Sequence, residues 1–374
     1  MDFSFTEEQE AVGDLARQIL EGQVTQERLK QLETAGAPYD ERAWAELAKA
    51  GLLGIALPQE AGGAGLGFLE LCRLLEQVGR TVAPVPVLPS VVLGALPMAR
   101  FGSEDQRRRF LGPAAAGELI ITAALVELGT EPGQPTTTAR PQEGGGWRLD
   151  GVKVCVPAGL VAGRVLVPAR TGEDAVGVFI LDPGGEGVGV ERQDTTSGVP
   201  EARIELTAAP VGDQDVLGGP TAGRAVVDWI VERATAATCA VMAGVCQEAL
   251  RLTAEYTKTR EQFDRPIATF QAVSHRAADA YVDTEAIRLT ALQAAWRLSA
   301  GLPAAEAVAV AKFWAAEGGQ RVVHAAQHLH GGIGVDRDYP LHRYFLWAKH
   351  LELTLGGATS QLLRLGAMLA AEPA

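Results

Sequence analysis

Arg260-Glu261-Gln262-Phe263-Asp264-Arg265-Pro266-Ile267, with Phe270-Gln271 just beyond, stands where a long helical run must stop before a proline. An arginine at such a corner can grip a phosphate bidentately, and a phenylalanine can lie against a ring. The same residues could equally serve the corner alone, with the arginine capping the last helical carbonyls over a packed phenylalanine. From Ala222 onward the sequence is rich in Ala, Leu, Gln and Arg at helical spacing. It is broken only near Asp264-Arg265-Pro266, Gly301-Leu302-Pro303 and Gly331-Gly332, which predicts an antiparallel bundle. At the last break, His328-Leu329-His330-Gly331-Gly332-Ile333-Gly334 ends a long helix with glycines that either let backbone approach a ligand or simply let the chain turn.

Upstream of the bundle, from Leu119 to about Gly219, Gly, Pro, Val and Thr rise and the pattern shortens. Trp147–Val154, Arg164–Val167 and Val176–Leu181 read as strands parted by turns. Further upstream the helical pattern returns, with Thr6 as an expected N-cap and Gln9 at the third helical position. Pro58 to Gly67 carries Gly62, Gly63, Gly65 and Gly67, but it follows no clear strand and lacks the Lys-Ser/Thr of a phosphate loop. A tight turn is expected there. The expected fold is mainly α with a central β domain: an N-terminal helical domain over residues 1–118, a β domain over 119–221 and a C-terminal helical bundle over 222–374.

The 374 residues include 33 Lys+Arg against 46 Asp+Glu, a formal charge of −13, and 47% are hydrophobic. That composition excludes a disordered chain, and the acidic surface repels phosphate backbones and anionic lipids, so no nucleic acid or membrane partner is expected. The uncharged stretch from Thr81 to Ala99 would nearly reach across a membrane. Pro84, Pro86, Pro89 and Pro97 break it as a helix and predict a buried, extended connection. The opening Met1-Asp2-Phe3-Ser4-Phe5-Thr6-Glu7-Glu8 lacks the order of a secretion signal, so a cytoplasmic protein is expected. Cys72, Cys155, Cys239 and Cys246 show no C-x-x-C spacing and are expected as reduced, packed thiols. His324, His328, His330 and His342 invite a metal, but nothing between the first two completes a site, so none is expected.

Together these features resemble the flavin-dependent acyl-CoA dehydrogenases, over nearly the whole chain. The resemblance is carried by the Arg260/Phe263 corner, Phe270-Gln271, Gly331-Gly332-Ile333-Gly334 and Asp338-Tyr339-Pro340. Trp44 with Gly51-Leu52-Leu53-Gly54-Ile55, Pro58 with Gly62-Gly63, and Gly102-Ser103-Glu104 before Gly117-Glu118 add to it. It implies FAD at a subunit interface and an acyl-CoA thioester whose α proton is removed by a glutamate while a β hydride passes to the flavin. It leaves the electron acceptor open, with an electron-transfer flavoprotein among the candidates. Each flavin draws on two chains. One supplies the base and the β-domain loops around the isoalloxazine; the other lends the corner and the glycine-rich turn to the pyrophosphate and adenosine. The lent set implied here is Arg260, Phe263, Gln271, Gly331 and Gly332. His328 stands where the family carries a glutamine, and Gln327 lies one place earlier.

The other set departs from the family. Counted from Pro340 through Lys349, the glutamate position falls on Leu355, and the Gly-Thr after it becomes Gly356-Gly357. Leucine accepts no proton. In a branch of the family the base lies on an earlier helix, and that position falls on Ala234. Glu232 is near, but two residues turn a helix by about 200°, so it faces away unless the helix bulges. The family's Thr-Glu-x-x-x-Gly-Ser-Asp loop is reduced to Thr130-Glu131-Pro132-Gly133-Gln134-Pro135, and its Trp-Ile-Thr clamp becomes Val154-Cys155-Val156-Pro157.

Keeping the lent contacts while losing the base and both loops resembles the heteromeric acyl-CoA dehydrogenases of bacterial sterol side-chain degradation, in which a catalytic and a non-catalytic chain form an α2β2 tetramer. His342–Trp347 and Leu353–Gly357 are similar to the non-catalytic partner. The resemblance thus implies no catalytic residue of the chain's own, a homologous catalytic chain as partner, and a sterol-derived acyl-CoA as substrate. Two alternatives stay open: a homomeric dehydrogenase whose base is Glu232, Glu248 or Glu255, and a degenerate acyl-CoA-binding scaffold without redox function. Retention of Arg260 and Phe263 argues against the scaffold.

Overall fold

The computed structural model describes residues 4–371; Met1-Asp2-Phe3, part of the segment read for a secretion signal, lie outside the described residues. Thr6 opens α1 (Glu7–Gln23) as a reciprocal cap. Its hydroxyl accepts from the Gln9 N–H at 3.3 Å, and the Gln9 side chain accepts from the Thr6 N–H at 3.1 Å. Helices α2 (Gln26–Ala35), α3 (Glu41–Lys49) and α4 (Phe68–Thr81) follow. The glycine run between α3 and α4 folds on itself: Gly63 N–H reaches the Pro58 carbonyl and Ala64 N–H the Gly54 carbonyl, each at 3.0 Å. A Cβ on Gly63 would stand 2.2 Å from the Leu57 carbonyl oxygen, so close backbone packing accounts for this glycine.

The stretch expected to be extended is helical in its second half. A π-helical segment, Leu88–Ala95, runs into α5 (Leu96–Phe101). Pro89 and Pro97 each fall in the first turn of their segment, where a missing N–H costs least, and the buried Val91, Val92 and Leu93 pay the ordering through packing. Helix α6 (Glu104–Ala115), capped by Ser103, leads into the β domain.

Strands β1 (Ile121–Ala123), β2 (Thr138–Pro141), β3 (Trp147–Pro157), β4 (Arg164–Arg170), β5 (Val176–Leu181), β6 (Val188–Gln193), β7 (Glu201–Val211) and β8 (Val216–Leu217) form one sheet. Its order is β6-β7-β3-β2-β4-β5-β8, and β1 pairs in parallel with β4. The β3–β7 ladder is antiparallel and shifts register between Lys153 and Val156.

At the centre of the sheet Lys153 is buried with its ammonium 2.5 Å from the Glu127 carboxylate and 2.8 Å from the Pro168 carbonyl. Burial would raise the Glu127 carboxyl, but the Lys153 charge and the Thr136 and Thr137 hydroxyls bring it down to about 2. Lys153→Met would leave that carboxylate buried without its counter-charge. We expect a loss of about 3–5 kcal/mol, read from the urea midpoint, and a loss under about 1 kcal/mol would show that the pair is dispensable.

The C-terminal domain comprises α7 (Gly223–Thr259), α8 (Gln271–Ser299), α9 (Ala305–His330), α10 (Leu341–Leu353) and α11 (Ala358–Ala371). Helix α7 crosses α4 at glycines: a Cβ on Gly79 would lie 1.9 Å from the Val241 carbonyl oxygen, and one on Gly244 the same distance from that of Glu76. By length and composition α7 could cross a membrane, but most of its apolar face is buried inside the fold, as in a core helix. Cys72, Cys239 and Cys246 are buried as expected. Cys155 is not packed away; it is exposed on β3, because the bulged strand turns it outward with a φ of +50°.

Candidate cofactor site

Helix α7 ends at Thr259, and the chain turns through a short hairpin, β9 (Glu261–Gln262) and β10 (Arg265–Pro266), before α8 begins at Gln271. The hairpin tip, Phe263-Asp264, has φ values of +53° and +60°, which suits its two-residue turn but is costly for a bulky side chain. Phe263 is 86% exposed there, and among the described residues its ring meets only that of Phe270, edge to face at 6.1 Å. Arg260 is pinned by its backbone: its N–H reaches the Tyr256 carbonyl at 2.8 Å, and its carbonyl accepts from the Ile267 N–H at 2.8 Å. Its side chain is exposed, and among the described residues the guanidinium has no hydrogen bond, ion pair or ring contact. The capping arrangement considered for this corner is therefore not what the fold builds. The Thr259 hydroxyl bonds the last carbonyls, and Arg265, not Arg260, lies over Phe270 at 4.1 Å.

The glycine turn follows α9. His328 is exposed on the last helical turn, and Gly331 has a φ of +64°. A Cβ on Gly331 or Gly332 would meet nothing within 4 Å, whereas one on Gly334 would stand 3.1 Å from the Gln327 carbonyl oxygen. The first two glycines thus leave open space in front of the backbone, and the third serves internal packing. Unpaired cation, exposed aromatic ring, exposed Gln271 and open glycines are the donors and the gap that a diphosphate-bearing cofactor such as FAD requires.

Behind this surface lies a contact that the sequence did not single out. The Tyr256 ring stacks on His330 at 4.5 Å and 19°. His330 is also bonded to the Ala326 carbonyl at 2.8 Å through Nδ1 and to the Tyr339 hydroxyl at 3.1 Å through Nε2. Two further histidines of the metal reading are engaged elsewhere: His324 lies against Phe345, and His342 bonds the Tyr339 carbonyl at 2.7 Å. Among the described residues, no three His, Cys, Asp or Glu side chains gather as metal ligands.

The β-domain side is closed. In Val154-Cys155-Val156-Pro157, the Val154 N–H is held by the Val126 carbonyl at 3.0 Å, the Cys155 N–H by the Gln193 side chain at 2.8 Å, and Pro157 has no N–H. Glu131 is exposed, and its loop is tied down by Arg224, which donates to the Gly133 carbonyl at 3.1 Å. Four residues earlier, Glu127 is buried instead, against Lys153.

The two positions counted for the base, Leu355 and Ala234, lie against the core. Leu355 turns back at a φ of +57°, half-buried on the core, and Ala234 is fully buried. Because α7 is continuous α-helix, no bulge reorients Glu232, which pairs with Arg233 at 3.3 Å. Glu248 is held by Arg251 at 2.6 Å, and Glu255 by Lys258 at 3.3 Å.

Near Leu355 a different group appears. Glu201, at the start of β7, lies 3.5 Å from the imidazole of His350 on α10, and burial pushes its carboxyl up to about 7. Burial also lowers the His350 pKa, so each group favours its neutral form. Lys312 caps the same helix end, donating to the Leu351 and Glu352 carbonyls at 2.9 Å each. A carboxyl with a raised folded pKa contributes its full stability below its unfolded value near 4.3 and loses it as pH rises through about 7. Replacing Glu201 with Gln should therefore stabilise the protein at about pH 8 by roughly 3 kcal/mol relative to wild type, with little change near pH 4. Melting temperatures across this range check it, and equal pH slopes for the two proteins would refute it.

The family model for the N-terminal domain of acyl-CoA dehydrogenases matches residues 6–118, and that for the C-terminal domain matches residues 221–369. The chain is 42% identical to acyl-CoA dehydrogenase FadE27 of Mycobacterium tuberculosis, over 100% of both chains. Among solved structures, it is similar to the ChsE4-ChsE5 complex of Mycobacterium tuberculosis, with 43% identity, a TM-score of 0.94 and full coverage of both chains. It is also similar to a variant of the Tcur3481-Tcur3483 steroid ACAD, with 46% identity, a TM-score of 0.90, and coverage of 97% of this chain and 98% of the other. Matched in both of its helical domains and by a relative along its whole length, this chain belongs to the acyl-CoA dehydrogenase family.

Proposed function

We propose that this chain is the non-catalytic subunit of a heteromeric, FAD-dependent acyl-CoA dehydrogenase, and that it completes the flavin site of a homologous catalytic chain in an α2β2 assembly. The observation that carries this is an asymmetry. The Arg260 guanidinium is exposed without a partner among the described residues, and Gly331 and Gly332 leave open space in front of the backbone, while the Val154 and Cys155 N–H groups, which would meet a flavin ring, are already bonded within the chain. Similarity to two heteromers, the ChsE4-ChsE5 complex and the Tcur3481-Tcur3483 steroid ACAD, supports the assembly and suggests a steroid side-chain CoA thioester as substrate.

FAD, when bound, takes up the hydride from the β carbon of the acyl group. This chain's part is binding and orientation. Arg260 would hold the pyrophosphate, Phe263 would lie against a ring of the cofactor, and Gln271, His328, Gly331 and Gly332 would line the diphosphate and adenosine. Leu355 and Ala234 hold no proton, so the partner's carboxylate would remove the α proton. Absorption spectra of the chain purified alone and after co-expression with its partner test this: flavin bands should appear only in the complex.

A further inference from the structure

We infer that Tyr256, His330 and Tyr339 form a positioning unit that sets the glycine turn against the Arg260 corner and thereby the two-sided grip offered to the pyrophosphate; this rests on the subunit role proposed above. The two sides of the grip come from the ends of two packed helices, α7 and α9, and the exposed Arg260 side chain makes no contact among the described residues that could fix their spacing. The register has to be set from behind.

Tyr256 and Arg260 share one hydrogen-bonded turn, since the Arg260 N–H bonds the Tyr256 carbonyl at 2.8 Å. His330 immediately precedes Gly331. The 4.5 Å stack between Tyr256 and His330 therefore joins the two cofactor-facing segments, and the Tyr256 ring also meets that of Tyr339 at 6.4 Å. His330 is itself held in place. A carbonyl only accepts, so the 2.8 Å contact with Ala326 assigns the proton to Nδ1, and Nε2 accepts from the Tyr339 hydroxyl at 3.1 Å. Tyr339 is anchored in turn through its carbonyl, which accepts from His342 at 2.7 Å, and its N–H, which bonds the Asp336 carbonyl at 3.2 Å. His330 is 3% exposed, and burial favours the neutral ring that this network needs.

The test measures FAD dissociation, assembly state and apo melting temperature on the co-expressed heteromer. His330→Ala and Tyr256→Ala should each weaken FAD about tenfold, and Tyr339→Phe about threefold. Tyr256→Phe keeps the stack and should stay within about twofold of wild type. Because the unit acts through the grip, Arg260→Ala combined with His330→Ala should lose less affinity than the product of the single losses. Lower melting temperatures with unchanged FAD affinity in His330→Ala and Tyr256→Ala would overturn the inference, as would full additivity. If His330→Ala fails to assemble, the Tyr256→Ala and Tyr256→Phe pair decides. Should Arg260→Ala also leave FAD affinity unchanged, it is the subunit role that fails; if Arg260→Ala weakens FAD and the ring variants do not, only the positioning unit falls.

Discussion

Purified alone, this chain should hold little FAD and turn over no acyl-CoA. Proton abstraction needs a positioned base, a group that typically contributes about 10²–10⁴-fold to rate, and on the subunit role proposed above Leu355 and Ala234 stand at the two base positions. The carboxylates weighed as substitutes are engaged: Glu232 with Arg233, Glu248 with Arg251 and Glu255 with Lys258. The ring side of the flavin site is closed by the same logic, because the Val154 and Cys155 N–H groups are bonded within the chain. Saturating FAD and full dehydrogenase activity in the isolated chain would instead favour a homomeric enzyme with another base.

Within the heteromer, Arg260→Ala should weaken FAD about 10- to 150-fold while the assembly persists. A charge-assisted contact to phosphate is worth about 1.5–3 kcal/mol, and this guanidinium has no intramolecular partner among the described residues whose loss would complicate the result. Were Arg260 only a helix cap, its removal would lower the melting temperature and spare flavin affinity. The exposed side chain and the Thr259 hydroxyl on the last carbonyls argue against that role.

What the sequence disclosed was local. The Thr6/Gln9 cap, the stop before Pro266, the bundle helices and the Gly331-Gly332 turn all announce themselves within a few residues. The π-helical Leu88–Ala95 did not, because prolines that read as breakers happen to fall in first turns. Strands β6 and β7 were hidden by charge: Glu191, Arg203 and Glu205 pair with one another on an exposed sheet face and obscure the alternation. Tyr256 with His330, Glu127 with Lys153 and Glu201 with His350 are contacts between segments far apart in sequence. No spacing rule reaches them. Of the candidate cofactor residues, all six could be named from motif positions, while the ring stack behind them became visible only when the ends of α7 and α9 were placed together.

The proposed division of labour between two chains has one direct consequence for composition. Across each heteromeric interface only one direction joins a β-domain ring site to a lent pyrophosphate grip, so half of the potential sites are complete. Flavin content per chain in the purified co-expressed assembly, from absorbance and quantitative protein analysis, measures this. We predict one FAD for every two chains in an α2β2 tetramer; one FAD per chain would require a working ring site in Val154-Cys155-Val156-Pro157 and would contradict the subunit role.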